Sequence, residues 1–317
     1  MLPIAVDAMG GDRAPAEIIA GARQAVDEVG VGVVLVGRPD AIDEAGGSLG
    51  LDVIPATEVI EMHDDPAQGV RRKKDSSLVR AAEAVRDGRA AAMISAGNTG
   101  ATMASALLRM GRVKGVLRPA IATPIPNPGH HPTVLLDAGA NAECTPPYLV
   151  QFAQMGSVYA ARRYGIDRPR VALLSIGEED TKGTPLVKET NALLRATPGL
   201  AFVGNVEGRD LIGGDAADVI VTDGFTGNVA LKALEGALRY LVGAVAAALP
   251  AESLAPLLPL AADMDPDNTG GAMLLGVDGV CIISHGSSTA RAIVNAVRVA
   301  KEMVEADLVA DLRDAVA

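Results

Sequence analysis

Residues 91–100 read Ala-Ala-Met-Ile-Ser-Ala-Gly-Asn-Thr-Gly, and this stretch decides how the rest of the chain is parsed. Ala91 to Ile94 is a short, wholly apolar run, as expected of a strand buried on both faces. Ser95 to Gly100 then turns through small polar residues into a predicted helix. The same order recurs along the 317 residues. Apolar runs predict strands at Ile4 to Val6, Val33 to Val36, Val134 to Leu136, Val171 to Leu174, Val219 to Val221 and Val280 to Ile283. Helical patterns lie between them, at Pro15 to Val29, Ser77 to Asp87, Pro146 to Tyr164 and Thr184 to Ala196. Strand followed by helix, repeated, predicts an α/β fold: a three-layer α/β/α sandwich with a mainly parallel sheet. Pro124 to Pro132, rich in Pro, Gly and His, is expected to be a loop.

Two longer helices are expected near the C-terminus. The first runs from about Gly227 to Leu249, with Leu231, Leu234, Leu238, Leu241 and Val245 on one stripe. The second runs from about Ser288 to Arg313, with Ile293, Val297, Ala300 and Val304 on its stripe. Between them Leu254, Leu257, Leu258 and Leu260 form a cluster broken by Pro256 and Pro259. That cluster suits a core plug, a subunit contact or a lipid-facing surface, with burial or a dimer favoured.

Composition narrows the function. Apolar residues make up 49% and charged residues 21%, which suits a compact globule. Aromatics are only 2%, so a stacking platform for single-stranded nucleic acid is not expected. The net charge of −11 disfavours binding to phosphate backbones. The exception is a basic run, Arg71, Arg72, Lys73 and Lys74. The two cysteines, Cys144 and Cys281, fit neither a zinc spacing nor a disulfide framework. No leader-like N-terminus and no membrane-length apolar run is read, so the expected compartment is the cytoplasm.

Six strand-to-helix junctions carry glycine with polar residues, and in an open parallel sheet ligands bind at such ends. Asp7-Ala8-Met9-Gly10-Gly11-Asp12 pairs glycines that admit a close ligand with aspartates able to orient a cation. Ser95 to Gly100 is a candidate anion site, combining exposed N–H groups with a helix N-terminus. It lacks both the Walker ending and the dinucleotide glycine pattern. Asp137 to Asn141 is the third junction. In the fourth, Ser175 to Gly183, Lys182 stands among Glu178, Glu179 and Asp180, either as a charged ligand for phosphate or a thioester carbonyl, or as a surface ion pair. Asn228, ending the fifth junction at Thr222 to Asn228, suits an oxyanion donor or a helix cap. His285-Gly286-Ser287-Ser288 puts an imidazole beside a helix start, as acid, base or anion ligand. Cys144 is not favoured as a nucleophile, and Glu61, His63, Asp64 and Asp65 are read as solvated rather than metal-binding.

In order, the motifs Asp-Ala-Met-Gly-Gly-Asp, Arg-Arg-Lys-Lys, Ser-Ala-Gly-Asn-Thr-Gly-Ala, Leu-Leu-Asp-x-Gly-Ala-Asn, Gly-x-Glu-Asp-x-Lys-Gly, Gly-Asn-Val-Glu-x-Arg-Asp (204–210), Val-Thr-Asp-Gly-Phe-Thr-Gly-Asn-Val and His-Gly-Ser-Ser resemble the PlsX family over residues 1 to about 305. The resemblance implies transfer of an acyl group from acyl carrier protein to inorganic phosphate, giving acyl phosphate for a glycerol-3-phosphate acyltransferase downstream. It implies a phosphotransacetylase-like α/β/α domain over 1–317, a homodimer, and a helical excursion at 225–270 for dimer and peripheral membrane contact. No metal or organic cofactor is implied. Arg13 stands where relatives often carry histidine, and the segment from Leu249 to Gly270 is shorter than theirs.

On that basis Lys182, Asn228 and His285 are the candidate catalytic residues. The candidate phosphate and substrate ligands are Asp7, Gly10, Gly11, Asp12, Ser95, Gly97, Asn98, Thr99, Gly100, Asp137, Asn141, Asp180, Gly286, Ser287 and Ser288. Asp7, Asp12 and Asp180 are expected to orient the cationic and polar groups. Arg71 to Lys74 is the expected docking patch for the acidic carrier. The rival readings are a non-catalytic acyl-carrier scaffold and a metal-dependent hydroxyacid dehydrogenase of similar layering.

Overall fold

The computed structural model describes residues 1–250, 254, 255, 258, 262 and 265–316. The chain divides into two compact units, Met1–Pro119 with Thr269–Ala317, and Ala120–Asn268. Elements are numbered along the whole chain.

The first unit contains β1 (Ile4–Asp7), β2 (Val33–Gly37), β3 (Asp52–Pro55), β4 (Ala92–Ser95), β10 (Ala272–Leu275) and β11 (Val280–Ile283). Their order is β3-β2-β1-β4-β11-β10. All neighbours are parallel except β10 and β11. β1, β2 and β4 are buried along their full length, which explains why they read as unbroken apolar runs. α1 (Ala16–Val29) and α10 (Ala290–Glu305) pack on each other and on the sheet. α3 (Pro66–Arg72), α4 (Ser77–Arg86) and α5 (Thr99–Arg109) form a second helical group, in which α4 and α5 touch the sheet.

In the second unit, β5 (Ala120–Ile125), β6 (Thr133–Leu136), β7 (Arg170–Leu174), β8 (Ala201–Val206) and β9 (Val219–Val221) take the order β5-β6-β9-β7-β8. Only β5 runs antiparallel to its neighbour. α6 (Pro146–Tyr164) and α7 (Pro185–Ala196) cover this sheet, with α8 (Gly224–Ala248) leaving the end of β9. α8 starts earlier than expected because Asp223 caps it by accepting from the Thr226 N–H.

Four strands carry no clear sequence signal. β3 is half exposed, and β5 contains Pro124 and so extends into the expected loop. β10 follows a glycine pair. β8 is interrupted by Gly204 and Asn205 and skips Val203 in its pairing with β7, a bulge that leaves Val203 exposed. The second long helix is corrected to two, α10 and α11 (Leu308–Ala315). Asp307 adopts φ 52 between them, a left-handed conformation that aspartate tolerates and that stops the helix without glycine or proline.

Along the stripe on α8, Leu231, Leu234, Leu238 and Val245 are half-buried and Leu241 is exposed. Leu231 and Leu234 pack on a core that includes Leu135, Ala172, Leu174, Val206 and Ile220. Farther along, Tyr240, Leu241 and Val242 are exposed. Of the leucine cluster, Leu257 and Leu260, with Pro256 and Pro259, lie outside the described residues, and Leu258 is exposed.

Candidate active site

In the first unit three junctions are knotted together around Asp7. Its carboxylate is fully buried at the end of β1. It accepts from the Ser95 hydroxyl at 2.7 Å and from the Met9 N–H at 3.1 Å, with further hydrogen bonds from Ser77 and the Gly10 backbone. Burial pushes its pKa above the ordinary carboxylate value, and those four donors pull the other way without overcoming it. Asp7 therefore organises loops and does not orient a lysine or arginine, which corrects the expectation for it. The paired glycines also serve a different purpose from the expected one. A Cβ on Gly10 would stand 2.6 Å from the Gly97 nitrogen, so the bare backbone brings two loops together rather than admitting a ligand there. Gly11 turns with φ 116, and the Asp12 N–H donates to the Gly286 carbonyl at 2.7 Å. The Asp12 side chain is exposed.

Two predicted ligands in the second junction are consumed internally. The Ser95 hydroxyl donates to Asp7 and accepts from the Gly97 N–H at 3.0 Å. Asn98 caps α5 by accepting from the Ala101 N–H, while its amide donates to the carbonyls of Glu61, Met62 and Asp64. Asn98 thus staples a loop to the helix start, and its side-chain amide has no hydrogen left to donate to an anion. The N–H groups of Asn98, Thr99 and Gly100 have no internal acceptor among the described residues. They lie at the positive end of α5, a helix of 11 residues.

The sixth junction is corrected more strongly. The α10 start is occupied from within: the Glu17 carboxylate of α1 accepts from the Ala290 N–H at 2.8 Å, and the Thr289 hydroxyl faces the Ala292 N–H. A carboxylate already placed at that helix start repels a second anion. Ser288 is buried with its N–H donating to the His285 carbonyl, and the Gly286 carbonyl is taken by Asp12. The Ser288 N–H and the Gly286 carbonyl therefore help close a turn, and the start of α10 at Ala290 is taken by Glu17 rather than left for an anion. The His285 and Ser287 side chains are exposed. Glu17 gave no sequence signal, because an acid in the first turn of a helix is ordinary.

The second unit repeats the device at Asp137, directly after β6. Its carboxylate is fully buried and accepts from the N–H groups of Ile121, Gly139, Ala140 and Asn141 and from the Asn141 side chain, at 2.7 to 3.2 Å. Burial again raises its pKa against the pull of those bonds. With both oxygens consumed, Asp137 is corrected from ligand to loop organiser. The Asn141 carbonyl accepts from the Gly224 N–H at 2.8 Å, joining the third junction to the fifth. A Cβ on Gly227 would fall 2.0 Å from the Asp137 carbonyl oxygen. Asn228 donates one amide hydrogen to the Ala138 carbonyl at 3.2 Å, and its side chain stands at the exposed rim.

The fourth junction also departs from expectation. Asp180 pairs with Arg195 and accepts from Asn191 at 3.2 Å, while Glu178 pairs with Arg209 at 3.0 Å. Asp180 is therefore not the partner that orients Lys182. The Lys182 backbone N–H donates to the Glu179 carbonyl at 2.9 Å, and its ammonium is exposed with no ion pair among the described residues.

In the basic run, Arg71, Arg72 and Lys74 are exposed. Lys73 is not: its ammonium donates to the Val59 carbonyl at 2.8 Å and to Asp64 at 2.6 Å. Lys73 pins the loop before α3, and its charge is already paired within the protein. Asp64 is held below the ordinary carboxylate value by that lysine. Burial in β11 pushes the Cys281 thiol up to about 12, which leaves it inert. The half-buried Cys144 thiol faces the Asn141 carbonyl at 3.6 Å.

The family described as Fatty acid synthesis protein matches residues 2–311. A phosphate acyltransferase of Desulfitobacterium hafniense (strain Y51) is 49% identical over 326 residues, covering 99% of this chain and 97% of that protein. A phosphate acyltransferase of Anaeromyxobacter sp. (strain K) is 50% identical over 330 residues, covering 99% and 90%. Among solved structures, the EutD phosphotransacetylase from Staphylococcus aureus superposes with a TM-score of 0.64 at 17% identity, covering 96% of this chain and 94% of that one. A 4-hydroxythreonine-4-phosphate dehydrogenase from Klebsiella pneumoniae gives 0.56 at 14% identity, covering 96% and 100%. The α/β/α layering is thus common to transferases and dehydrogenases, and the fold alone does not choose between them.

Proposed function

This chain belongs to the Fatty acid synthesis protein family of phosphate acyltransferases, and we propose that its acyl donor is the thioester of acyl carrier protein, its acceptor inorganic phosphate and its product an acyl phosphate for glycerol-3-phosphate acylation. The observation that carries this reading is the start of α5. Most polar groups of that junction are committed internally, yet three consecutive N–H groups, at Asn98, Thr99 and Gly100, have no acceptor among the described residues. An oxyanion such as phosphate satisfies such donors.

The proposed step is direct. A phosphate oxygen attacks the thioester carbonyl carbon, a C–O bond forms, and collapse of the tetrahedral oxyanion breaks the C–S bond. The carrier leaves as a thiolate and takes up a proton, for which His285 is the proposed source. Phosphate is already a nucleophile, so the proposed enzyme needs no acyl intermediate. Lys182 is proposed to neutralise charge on phosphate or the oxyanion, and Asn228 to donate its second amide hydrogen to the oxyanion. Arg71, Arg72 and Lys74 are proposed to meet the acidic carrier. The exposed apolar length of α8 supports a homodimer with peripheral membrane contact at the cytoplasmic face. Among the described residues no helix is long and apolar enough to cross a membrane.

The test is thiol release from acyl carrier protein thioester, with and without inorganic phosphate, and with the product identified by mass. Phosphate-dependent release with acyl phosphate formed is the expected result. Binding of the thioester without turnover would replace this reading with the scaffold one.

A further inference from the structure

The motif at residues 204–210 has no role in the step above, and it contains a buried amide. Asn205 on β8 is 6% exposed and Asn191 on α7 is 2% exposed. Buried amides are unfavourable unless bonded, and apolar residues would fill these positions more favourably if packing alone mattered. Both amides are bonded in one direction, toward the loop that carries Lys182. Asn205 donates to the Glu179 carbonyl at 3.0 Å, and that carbonyl also accepts the Lys182 N–H at 2.9 Å. Asn191 donates to the Asn205 side-chain oxygen at 2.8 Å and to Asp180 at 3.2 Å. Arg195 then closes the network, donating to the Asn191 oxygen at 3.1 Å and pairing with Asp180. The bulge at Val203 shifts the register of β8 immediately before Asn205.

We propose that Asn205, supported by Asn191 and Arg195, is a positioning residue for Lys182, fixing through the shared Glu179 carbonyl the turn from which the ammonium projects. The proposal rests on the catalytic role given to Lys182 above. A charge that stabilises a transition state is effective only when its position is set in advance, so loosening the turn lowers turnover and leaves substrate binding intact.

The test compares wild type, Asn205→Leu, Lys182→Ala and the double variant in phosphate-dependent thiol release. Amide hydrogen exchange of residues 178–183 is measured alongside. The expected result for Asn205→Leu is a kcat about tenfold lower, KM for both substrates within about twofold, and exchange at least about fivefold faster. The double variant is expected to be no slower than Lys182→Ala alone. A folded Asn205→Leu enzyme with wild-type kcat overturns the proposal, as do losses that multiply in the double variant. Arg195→Ala is the second variant if Asn205→Leu fails to fold. It is expected to lower kcat about threefold and speed exchange of the same segment, and no change in either overturns the proposal. If Lys182→Ala turns over like wild type, the role given to Lys182 fails, whereas unchanged exchange in Asn205→Leu removes the clamp itself.

Discussion

Asp7 and Asp137 stand at equivalent points of the two units, each closing a buried strand and each followed by alanine and a glycine-bearing loop. Both carboxylates are buried, both are raised by burial, and both gather backbone N–H groups. The difference lies in what they gather. Asp137 spends its oxygens on its own loop and on Ile121, and the side chains of Asn228 and Lys182 in the same unit are exposed. Asp7 reaches Ser95 and Ser77 instead, and the first unit presents backbone N–H groups at α5. One buried-acid device thus ties distant loops together in one unit and orders a single loop in the other.

Four experiments test how alike the two units are. The largest effect is expected from the tight glycines. Gly227→Ala and Gly10→Ala each drive a Cβ into backbone atoms, at 2.0 Å and 2.6 Å, and each is expected to cost about 3 kcal/mol in urea unfolding. If only one of the pair is destabilised, the units are not built alike. Next comes Lys182→Ala. Turnover is expected to fall about 100-fold, roughly 2.7 kcal/mol of barrier, with an unchanged melting temperature. Wild-type turnover would leave the second unit without its proposed cation.

The third experiment is Asp7→Asn. Asp7 is raised in the folded state above an unfolded value of about 3.9, so the folded protein holds that proton more tightly. Its effect on stability is most favourable below the unfolded value and is lost as pH rises through the folded one. Asp7→Asn removes this dependence, and its stability relative to wild type should therefore climb as pH rises above about 4. A difference independent of pH would show that the burial of Asp7 is energetically silent. The smallest effect is expected from Arg71→Glu with Arg72→Glu and Lys74→Glu. KM for the carrier substrate should rise about three- to tenfold at low salt, with kcat unchanged and the effect fading at high salt. An unchanged KM would leave the first unit with phosphate alone.

Much of the architecture was legible because buried parallel strands write themselves as uninterrupted apolar runs, and β1, β2, β4, β6, β7, β9 and β11 all did so. β3, β5, β8 and β10 did not, because an exposed edge, a proline, a bulge and a glycine pair blur the pattern. At the candidate site, glycine and polar residues at strand ends identified the junctions but not which groups were already committed. Glu17 lies 273 residues from the N–H it accepts from, and Asp7 lies 88 from Ser95. Nothing local in either sequence neighbourhood marks such a pairing.

The chain's own pattern of apolar runs, glycines and helix starts determined the layering, the junctions and the family, because strand burial and turn conformation are set by nearby residues. Which polar atoms remain available to a substrate was decided only in the folded chain. Hydrogen-bonding capacity is finite, and distant residues consume it: the side chains of Asp7, Ser95 and Asp137 and the amide hydrogens of Asn98 are used inside the protein, while the Asn98–Gly100 N–H groups have no internal acceptor among the described residues and, in the second unit, the Lys182 side chain is exposed.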